Sequence, residues 1–451
     1  MKTFEDSICA PASSSGGAVA LIRISGPDSF RICDSIVSFR RGTAAEATGY
    51  TIKYGSIADV DDVLVSIFRA PHSYTGEDSV EIGCHASSYI VETILRLMVE
   101  AGARMAEPGE FTRRAFVNGK MDLAQAEAVT DVIAASSEAA HRVAMNQLKG
   151  RYSSELRDLR DQLVELAALL ELELDFSEEE VEFAGRDKLR SLLDGTGAHI
   201  ARLMDSFRLG NAIRKGIPVA IAGAVNSGKS TLLNALLGED RAIVSDIPGT
   251  TRDTVEEVMV INGLQFRFID TAGIRKASDA IEKVGIERSM QSIARAEVVL
   301  AVLDSCSSAE DAAASKDEIA AKLSPAQKLI LVRNKRDLVP SLPAGFPECD
   351  IEISAKTGEG LGALRNLIAA EYSSGAPGAD ENLVTNLRHY EALTRASGDL
   401  AAVRTGLDSG LSTDLLAEDL RSAIRELGSI FGEITTDEVL GSIFRDFCIG
   451  K

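Results

Sequence analysis

A glycine-rich stretch near the middle of the 451-residue chain has the composition of a phosphate-binding loop. It reads GAVNSGKST and stands between an apolar run and a leucine-rich one. In such loops backbone N–H groups curl around phosphate oxygens, a lysine such as Lys229 neutralises the β and γ oxygens, and the Ser230 hydroxyl binds Mg²⁺. The pattern predicts a nucleoside triphosphate site with loop residues Asn226, Ser227, Gly228, Lys229, Ser230 and Thr231.

Two further motifs follow in the order that a GTPase requires. The stretch SDIPGTTRD offers Thr251 as a second magnesium ligand, which can order a loop when a γ-phosphate is present. The stretch DTAG follows an apolar strand, so Asp270 can reach the magnesium shell and the Gly273 N–H can meet the γ-phosphate. Together they add Ser245, Asp246, Ile247, Pro248, Gly249, Thr250, Thr251, Asp270, Thr271, Ala272 and Gly273 to the predicted GTP-binding set.

The last two motifs select the base. In NKRD, Asp337 can accept hydrogen bonds from the N1–H and the exocyclic amine of guanine, which adenine cannot offer. The stretch SAK completes the base pocket through backbone donation. The predicted base-site residues are Asn334, Lys335, Asp337, Ser354, Ala355 and Lys356. Five motifs in this order, placed on alternating strands and helices, indicate a GTPase domain.

The catalytic side of this domain differs from Ras-like enzymes. Ile274 stands where they place the glutamine that orients the attacking water, so another group must position it. Asn226 could coordinate a cation beside the phosphates, and that cation could neutralise transition-state charge. The alternative, that Asn226 is only a tolerated loop residue, stays open. Arg275, which follows Ile274, is a further candidate catalytic residue.

The positions of prolines and the pattern of apolar runs predict the helices and strands that must position these motifs. No proline occurs between Pro108 and Pro218 or after Pro377, and both stretches are rich in helix formers, which predicts long helices. Between them, short apolar runs alternate with helical segments, as in a parallel sheet with crossover helices. Residues before Pro108 mix strand and helix patterns and indicate a separate α+β module. The predicted fold class is therefore α/β and multidomain.

Composition limits the cellular setting. The net charge of −20 disfavours direct binding to nucleic acid, so any RNA must meet a local basic patch or a more basic partner. The opening residues lack the basic and apolar regions of a signal peptide, and no apolar run approaches the length of a membrane span. Six scattered cysteines without a C-x-x-C pair argue against a zinc site or disulfide framework. These features predict a cytoplasmic protein without membrane contact.

The chain ends in DFCIGK. Lysine is not a usual last residue of a prenylation box, and no polybasic second signal precedes it. A helical apolar stripe is formed by Leu440, Ile443, Phe444, Phe447 and Cys448. Gly450 then stands where a helix C-cap glycine belongs. Two roles for Cys448 stay open, the last small apolar residue of this stripe or a nucleophile.

Taken together, the motifs resemble the MnmE family of tRNA-modification GTPases. The resemblance also rests on ALIRISGP, SYTGEDSVEIGCH and EPGEFTRRAFVNGKMDLAQAEA, and it runs essentially end to end. It implies an N-terminal α+β domain similar to folate-binding domains of one-carbon enzymes, and an all-helical domain into which a Ras-like P-loop GTPase domain is inserted. The implied boundaries are 1–118 for the N-terminal domain, 119–214 and 377–451 for the helical domain, and 215–376 for the GTPase domain.

The resemblance also implies a reaction and partners. GTP hydrolysis, with Mg²⁺ and K⁺, would drive attachment of a carboxymethylaminomethyl or aminomethyl group to C5 of the tRNA wobble uridine. The one-carbon unit would come from a 5-formyl- or methylene-tetrahydrofolate, and an FAD protein, MnmG, would act with the chain and contact the tRNA. The implied assembly is a homodimer through the N-terminal domain, with nucleotide-dependent dimerisation of the GTPase domains. Two alternatives stay open: a ribosome-assembly GTPase and a scaffold GTPase.

Residue roles follow from the same resemblance. Potassium would be bound by Asn226, Ser245, Ile247 and Thr250, and magnesium by Ser230 and Thr251. Glu282 matches the carboxylate proposed to position water, which fills the gap left by Ile274. Folate would be bound by Arg23, Glu81, Lys120 and Lys451. A carboxylate such as Glu81 can pair with the adjacent amine and ring N–H of a pterin. A Cys448 thiolate that adds to C6 of uridine would make C5 nucleophilic.

Overall fold

The computed structural model describes most of the chain, in two compact units that are built from separate segments. The described residues are 4–13, 16–175, 186–238, 256–269, 292–374 without 326, 340, 342 and 343, then 382–433 and 437–445, with Phe447 and Gly450. The first unit consists of Met1–Thr130, Gln147–Thr196 and Arg395–Lys451. The second consists of Asp131–Asn146 and Gly197–Thr394.

A seven-stranded sheet forms the N-terminal part of the first unit. Its strands are β1 (Ile8–Pro11), β2 (Val19–Ser25), β3 (Ser38–Phe39), β4 (Thr51–Ile57), β5 (Asp61–Phe68), β6 (Ser79–His85) and β7 (Arg104–Met105). Their spatial order is β3-β4-β5-β6-β2-β1-β7, and all pairs are antiparallel except β1 with β7. Alternate residues such as Ile22, Val65 and Ile82 are fully buried on one face. Helices α1 (Ser29–Ile36) and α2 (Ser88–Glu100) pack there, so the predicted α+β module is confirmed.

Helix α3 (Glu110–Val117) is held in this unit by a buried charge cluster. The Arg114 side chain is completely buried and donates to the Asp6 carboxylate and the Glu110 carboxylate at 2.8 and 3.2 Å. It also donates to Glu77 at 3.2 Å, and burial raises the pKa of that carboxyl group. Removing one partner of such a buried network leaves the remaining charge buried and unpaired, which is strongly destabilising. The cluster therefore fixes α3, which carries Phe111 toward β2.

Long helices complete the first unit, as the proline-free stretches predict. The remaining helices with residues in it are α4 (Leu123–Ala134), α5 (Glu138–Leu148), α6 (Arg151–Asp175), α7 (Arg186–Asp205), α12 (Leu387–Ser409), α13 (Thr413–Phe431) and α14 (Asp437–Arg445). Helix α6 packs along α13. Leu163 on α6 and Leu420 and Leu427 on α13 are fully buried, so apolar burial rather than helix propensity supplies most of the stability of this pair.

The end of the chain differs from its prediction. Helix α14 ends at Arg445, so the apolar stripe continues past the helix, and Phe447 follows through a turn in which its N–H donates to the Phe444 carbonyl at 3.2 Å. Phe444 and Phe447 are nevertheless buried in one cluster with Leu123. Gly450 has a φ of +96°, but it lies five residues beyond the helix and is not its C-cap. The prediction was wrong because the positive φ serves a close approach to β1 instead.

The second unit is built on a six-stranded sheet. Its strands are β8 (Ile217–Ala222), β9 (Glu257–Ile261), β10 (Leu264–Phe268), β11 (Val298–Asp304), β12 (Lys328–Asn334) and β13 (Ile351–Glu352), in the order β13-β12-β11-β8-β10-β9. All pairs are parallel, as predicted, except the edge strand β9, which runs antiparallel to β10. Helices with residues in this unit include α5, α7, α8 (Phe207–Lys215), α9 (Lys229–Gly238), α10 (Ala309–Ala320), α11 (Leu361–Ser374) and α12.

Both faces of this sheet are covered. Successive residues of β11 belong to different apolar clusters, Val298, Leu300 and Val302 to one and Val299 and Ala301 to the other. This double burial explains why the strand is continuously apolar in sequence. Strands β8, β11 and β12 are parallel, so their carboxyl ends meet at one edge, where open α/β sheets bind ligands. Among the described residues, no helix is both long and apolar enough to cross a membrane.

Candidate functional site

The loop between β8 and α9 has the backbone that a phosphate-binding loop needs. Gly223 and Gly228 have φ angles of +150° and +94°. A Cβ at Gly223 would overlap the Val302 carbonyl oxygen, and one at Gly228 would overlap the Asn334 side-chain amide. Asn226 also has a positive φ, +62°, which asparagine tolerates better than most residues. The two glycines are thus required both by conformation and by the close approach of β11 and β12.

Lys229 begins α9, and its side chain folds back over the loop. Its Nζ donates to the carbonyl oxygens of Gly223 and Ala224 at 2.9 and 2.8 Å. Both acceptors are uncharged, and burial lowers the pKa of Lys229. A polyphosphate would supply the negative charge that this ammonium group lacks, and the N-terminus of α9 would favour the same charge. Ser230 and Thr231 follow in the first turn of α9, half-buried and exposed respectively.

Asn334 joins three of the predicted motifs. It is the last residue of β12 and is 2% exposed. Its Nδ2 donates to the Ser227 carbonyl oxygen at 2.9 Å. Its Oδ1 accepts from the backbone N–H groups of Lys335 at 2.8 Å and Ala355 at 3.0 Å. One buried amide therefore fixes the phosphate loop, the NKRD turn and the SAK turn against each other.

The base side of the site carries both an acidic and a basic group. Asp337 is exposed, and the Ser354 Oγ donates to its Oδ1 at 2.7 Å, which orients the carboxylate that is predicted to accept from guanine. Lys335 has a φ of +66°, and its Nζ donates to Asp304 Oδ2 at 2.6 Å. Burial would raise the pKa of Asp304, but the Lys335 ammonium and the hydrogen bonds from Cys306 together outweigh burial, so that the pKa is lowered. Lys356 is exposed beside Ala355.

Three residues of this region were not predicted from sequence. Asp304 and Ser305 follow the apolar part of β11, and Arg333 lies within β12. Arg333 is 1% exposed although it is charged. The available signal was an arginine inside the apolar run LILVRN directly before NKRD, because a buried charge needs partners in the fold. Asp304 ends a parallel strand on the same edge as the phosphate loop and could have been found by that position.

Part of the predicted site lies outside the described residues. These positions are Ser245, Asp246, Ile247, Pro248, Gly249, Thr250, Thr251, Asp270, Thr271, Ala272, Gly273, Arg275, Glu282, Cys448 and Lys451. Of the predicted cation ligands, only Asn226 and Ser230 are described. The magnesium, potassium and water-positioning assignments therefore stay predictions.

A second candidate site lies on the seven-stranded sheet of the first unit. Arg23 on β2 and Glu81 on β6 are directly paired across the ladder. Arg23 Nε and Nη2 both contact Glu81 Oε1, at 2.8 and 2.7 Å. The guanidinium also lies over the rings of Tyr74 and Phe111, 5.1 and 5.5 Å from their centroids. This sandwich holds a charged pair in a fixed, largely buried position.

Of the other predicted residues of this site, Lys120 is described, whereas Lys451 lies outside the described residues and only its neighbour Gly450 can be placed. Lys120 donates from Nζ to the Pro71 carbonyl oxygen at 2.9 Å, on the same connection between β5 and β6 that carries Tyr74. Gly450 accepts a hydrogen bond at its carbonyl oxygen from Arg23 Nη1 at 3.4 Å. A Cβ at Gly450 would overlap the Pro11 carbonyl oxygen of β1. The end of the chain is thus held beside Arg23 by a slot that only glycine fits.

Comparison with known proteins identifies the family. Residues 7–120 match the family model of the GTP-binding protein TrmE N-terminus, and residues 123–448 match that of the MnmE helical domain. The tRNA modification GTPase MnmE of Parabacteroides distasonis is 50% identical, with 98% of this chain and 99% of that protein aligned. Its counterpart in Bacteroides thetaiotaomicron is 48% identical over 99% of this chain and 100% of its own. The chain belongs to the MnmE family. The tRNA modification GTPase MnmE of Flavobacterium johnsoniae is 46% identical, with 99% of both chains aligned.

Membership of the MnmE family confirms the resemblance found in the motifs and makes the chain a GTP hydrolase. The match to the MnmE helical domain spans the whole six-stranded sheet, which agrees with a P-loop GTPase domain inserted into a helical one. The three boundaries between the four segments expected from sequence stay a prediction.

Proposed function

We propose that this chain couples GTP hydrolysis to modification of tRNA at C5 of the wobble uridine, with a one-carbon unit from a tetrahydrofolate derivative. The observation that carries the proposal is the Arg23–Glu81 pair, which lies in the same chain as a phosphate loop and guanine motifs. A GTPase that served only as a switch would not need a second, partly buried charged site. The relatives named tRNA modification GTPase support the nature of the acceptor.

Folate recognition is proposed for Arg23, Glu81, Lys120 and Lys451. The Glu81 carboxylate can pair with the amine and ring N–H of a pterin, and the flanking rings of Tyr74 and Phe111 provide apolar surface. The lysines suit the anionic glutamate tail. In this proposal the folate supplies the carbon, while the residues of the chain bind and orient it. Cys448, near the Gly450 slot in sequence, is the proposed thiol that acts on the uridine.

The proposed GTPase chemistry uses two cations. Ser230 and Thr251 bind Mg²⁺, and Asn226, Ser245, Ile247 and Thr250 bind K⁺. Glu282 positions water, and Arg275 is a further catalytic residue. The support is the left-handed backbone of Asn226, which stands exposed at the tip of the phosphate loop. A bound K⁺ would supply the positive charge that Ras-like enzymes obtain from an arginine.

GTP hydrolysis should therefore be faster in potassium than in sodium at equal ionic strength. Turnover is measured by phosphate release in the two chlorides, with an Asn226→Ala variant as control. The variant should lose the difference between the salts while it still binds GDP. Equal rates of the natural chain in both salts would contradict the potassium assignment.

The proposed assembly is a homodimer through the N-terminal domain, with nucleotide-dependent contact between GTPase domains and a cytoplasmic complex with the FAD protein MnmG. One face of β4 and β5 supports the dimer, because Ile52, Tyr54 and Leu64 are 68%, 41% and 56% exposed on it. Apolar side chains that are grouped on one face favour burial against another protein surface. Sedimentation velocity at micromolar concentration should show a dimer.

Mass spectrometry of tRNA nucleosides tests the whole proposal. A strain that lacks the gene should contain unmodified C5 positions at the wobble uridine, and the natural chain should restore the modification. An Arg23→Ala variant should fail to restore the modification while its GTP hydrolysis is retained, since Arg23 lies in the other unit. Normal modification in the deletion strain would instead favour a ribosome-assembly or scaffold GTPase.

A further inference from the structure

Arg333 is a cation whose side chain is almost completely buried. Its guanidinium uses each of its nitrogens for a different segment of the second unit. Nε donates to Ser305 Oγ at 3.0 Å, and Nη1 donates to Glu352 Oε1 at 2.7 Å. Nη2 donates to the Val339 carbonyl oxygen. The planar fork of an arginine holds three acceptors at fixed angles, which a lysine or an apolar residue cannot do.

All three segments carry the base side of the nucleotide site. Ser305 donates from both its N–H and its Oγ to the Asn334 carbonyl oxygen, at 3.1 and 2.6 Å. Glu352 is the ladder partner of Arg333 and lies two residues before Ser354. Val339 lies two residues after Asp337. The arginine therefore ties the NKRD turn on one side to the SAK turn on the other.

Backbone contacts link the same segments. The Ile353 N–H donates to the Arg333 carbonyl oxygen at 2.8 Å, and the Arg336 N–H donates to the Ile353 carbonyl oxygen at 3.2 Å. Arg333 and these backbone hydrogen bonds form a joint between the NKRD and SAK turns. The Asp337 carboxylate and the Ser354 hydroxyl that orients it follow directly after this joint in the chain. A shift between the two turns would move the carboxylate relative to the base. Burying a guanidinium costs much more than burying an apolar residue, so stability alone does not account for it.

We propose that Arg333 is a positioning residue for guanine recognition, which holds Asp337 and the SAK turn at the separation that the base requires. The inference rests on the proposed assignment of Asp337 to guanine. Its consequence is specific to the base: the N1–H and the 2-amino group of guanine should both lose hydrogen bonds when the contact between the two turns loosens, whereas the phosphates keep theirs. Hypoxanthine keeps the N1–H but has no 2-amino group, so binding of IDP should depend less on Arg333.

The test compares GDP and IDP binding by competition with a fluorescent guanine nucleotide in three full-length proteins. The natural chain should prefer GDP by about tenfold to a hundredfold, the effect of one hydrogen bond to a charged group. Arg333→Met should reduce that preference by about fivefold or more, since the bond is weakened. The control is Arg336→Met, because Arg336 contacts the same Glu352 at 3.6 Å but is 46% exposed. It should change the preference by less than about twofold, as exposed ion pairs do.

A second variant covers the case in which Arg333→Met does not fold. Glu352→Gln keeps the arginine, and the Glu352 side chain is 38% exposed, so the fold should survive. It should lower the GDP preference in the same direction by a smaller factor. Equal losses of GDP and IDP affinity in the variants, or an unchanged preference, would overturn the role of Arg333. No preference in the natural chain would overturn the guanine assignment itself.

Discussion

The amide of Asn334 shows how one side chain can hold a site together that the sequence distributes over three motifs. Its two ends reach the Ser227 carbonyl of the phosphate loop and the Ala355 N–H of the SAK turn. Each group is buried or half-buried, so an unpaired group there would pay its full desolvation penalty. The site's geometry therefore depends on a residue that need not touch the phosphates.

Asn334→Ala should weaken GDP binding by about tenfold or more, because two buried backbone groups lose their partner. Affinity is measured by titration with a fluorescent GDP. Asn366→Ala is the matched control: Asn366 is an exposed amide on α11 whose contact with Asn262 is a long one, 3.5 Å. If the Asn334 variant binds GDP as tightly as the control does, the amide is not what holds the loops together.

At the same scale, sequence reasoning found residues that belong to motifs and missed those that support them. Lys229, Asn334 and Asp337 stand at fixed spacings from glycines and strands, so their chemistry could be read directly. Asp304 and Arg333 act through residues far away in sequence, and only the register of β11, β12 and β13 brings their partners to them. The Arg23–Glu81 pair likewise depends on the register of β2 with β6.

The end of the chain, beyond the last helix, has a strict packing requirement. Gly450 lies against β1, where a Cβ would overlap the Pro11 carbonyl oxygen and stand 3.3 Å from Ala12 Cα. Its φ of +96° adds a conformational reason for glycine. The neighbouring turn is anchored by Phe444 and Phe447, which pack with Leu123. The final turn is thus fixed at two points, one apolar and one steric.

Gly450→Ala should displace the chain end from β1 and from Arg23. The tRNA modification that this variant restores in the deletion strain should be lower by about tenfold or more, because small displacements of reacting groups can lower a reaction rate by about a hundredfold. GTP hydrolysis should change little, since the nucleotide motifs lie in the other unit. Gly441→Ala is the control, because no atom lies within 4 Å of a Cβ at that position of α14. Full modification with Gly450→Ala would show that the slot is not needed.

The elements themselves were largely predictable, and the exceptions have physical reasons. Strands β2, β5, β6, β8, β10, β11 and β12 and the long helices follow from apolar pattern and proline placement. The antiparallel edge strand β9 was not predicted. Its signal was the Asn262–Gly263 dipeptide, which forms a tight turn with both residues at positive φ and sets the direction of the strand. The early end of α14 was missed because the apolar stripe persists through the turn that follows it.

For the molecule as a whole, the net charge of −20 sets the terms on which RNA can be bound. Each phosphate contact requires a local cation against an unfavourable average field. The exposed apolar residues of β4 and β5 offer protein contact rather than phosphate contact. The negative net charge could be predicted directly from composition, and folding does not alter it.

The isolated chain should therefore bind tRNA with a Kd of about 1 μM or weaker at roughly physiological salt. Addition of the proposed FAD protein should tighten the apparent affinity by about tenfold or more, because a second attached binding surface raises the effective concentration. Fluorescence anisotropy of labelled tRNA measures both, with the FAD protein alone as control. Nanomolar binding by the isolated chain would contradict the need for a partner.

The division of the sequence between the two units has a consequence for the order of synthesis. Every segment of the second unit precedes Arg395, whereas the first unit needs Arg395–Lys451 as well as the N-terminal segments. Helix α6 emerges from the ribosome long before α13, the helix against which it packs. The leucine face of α6 therefore stays uncovered by α13 while the whole nucleotide-binding sheet is synthesised and can fold. The unit that begins first in sequence is therefore the last to be finished, and a nascent chain gains its guanine site before it gains the slot that holds Gly450.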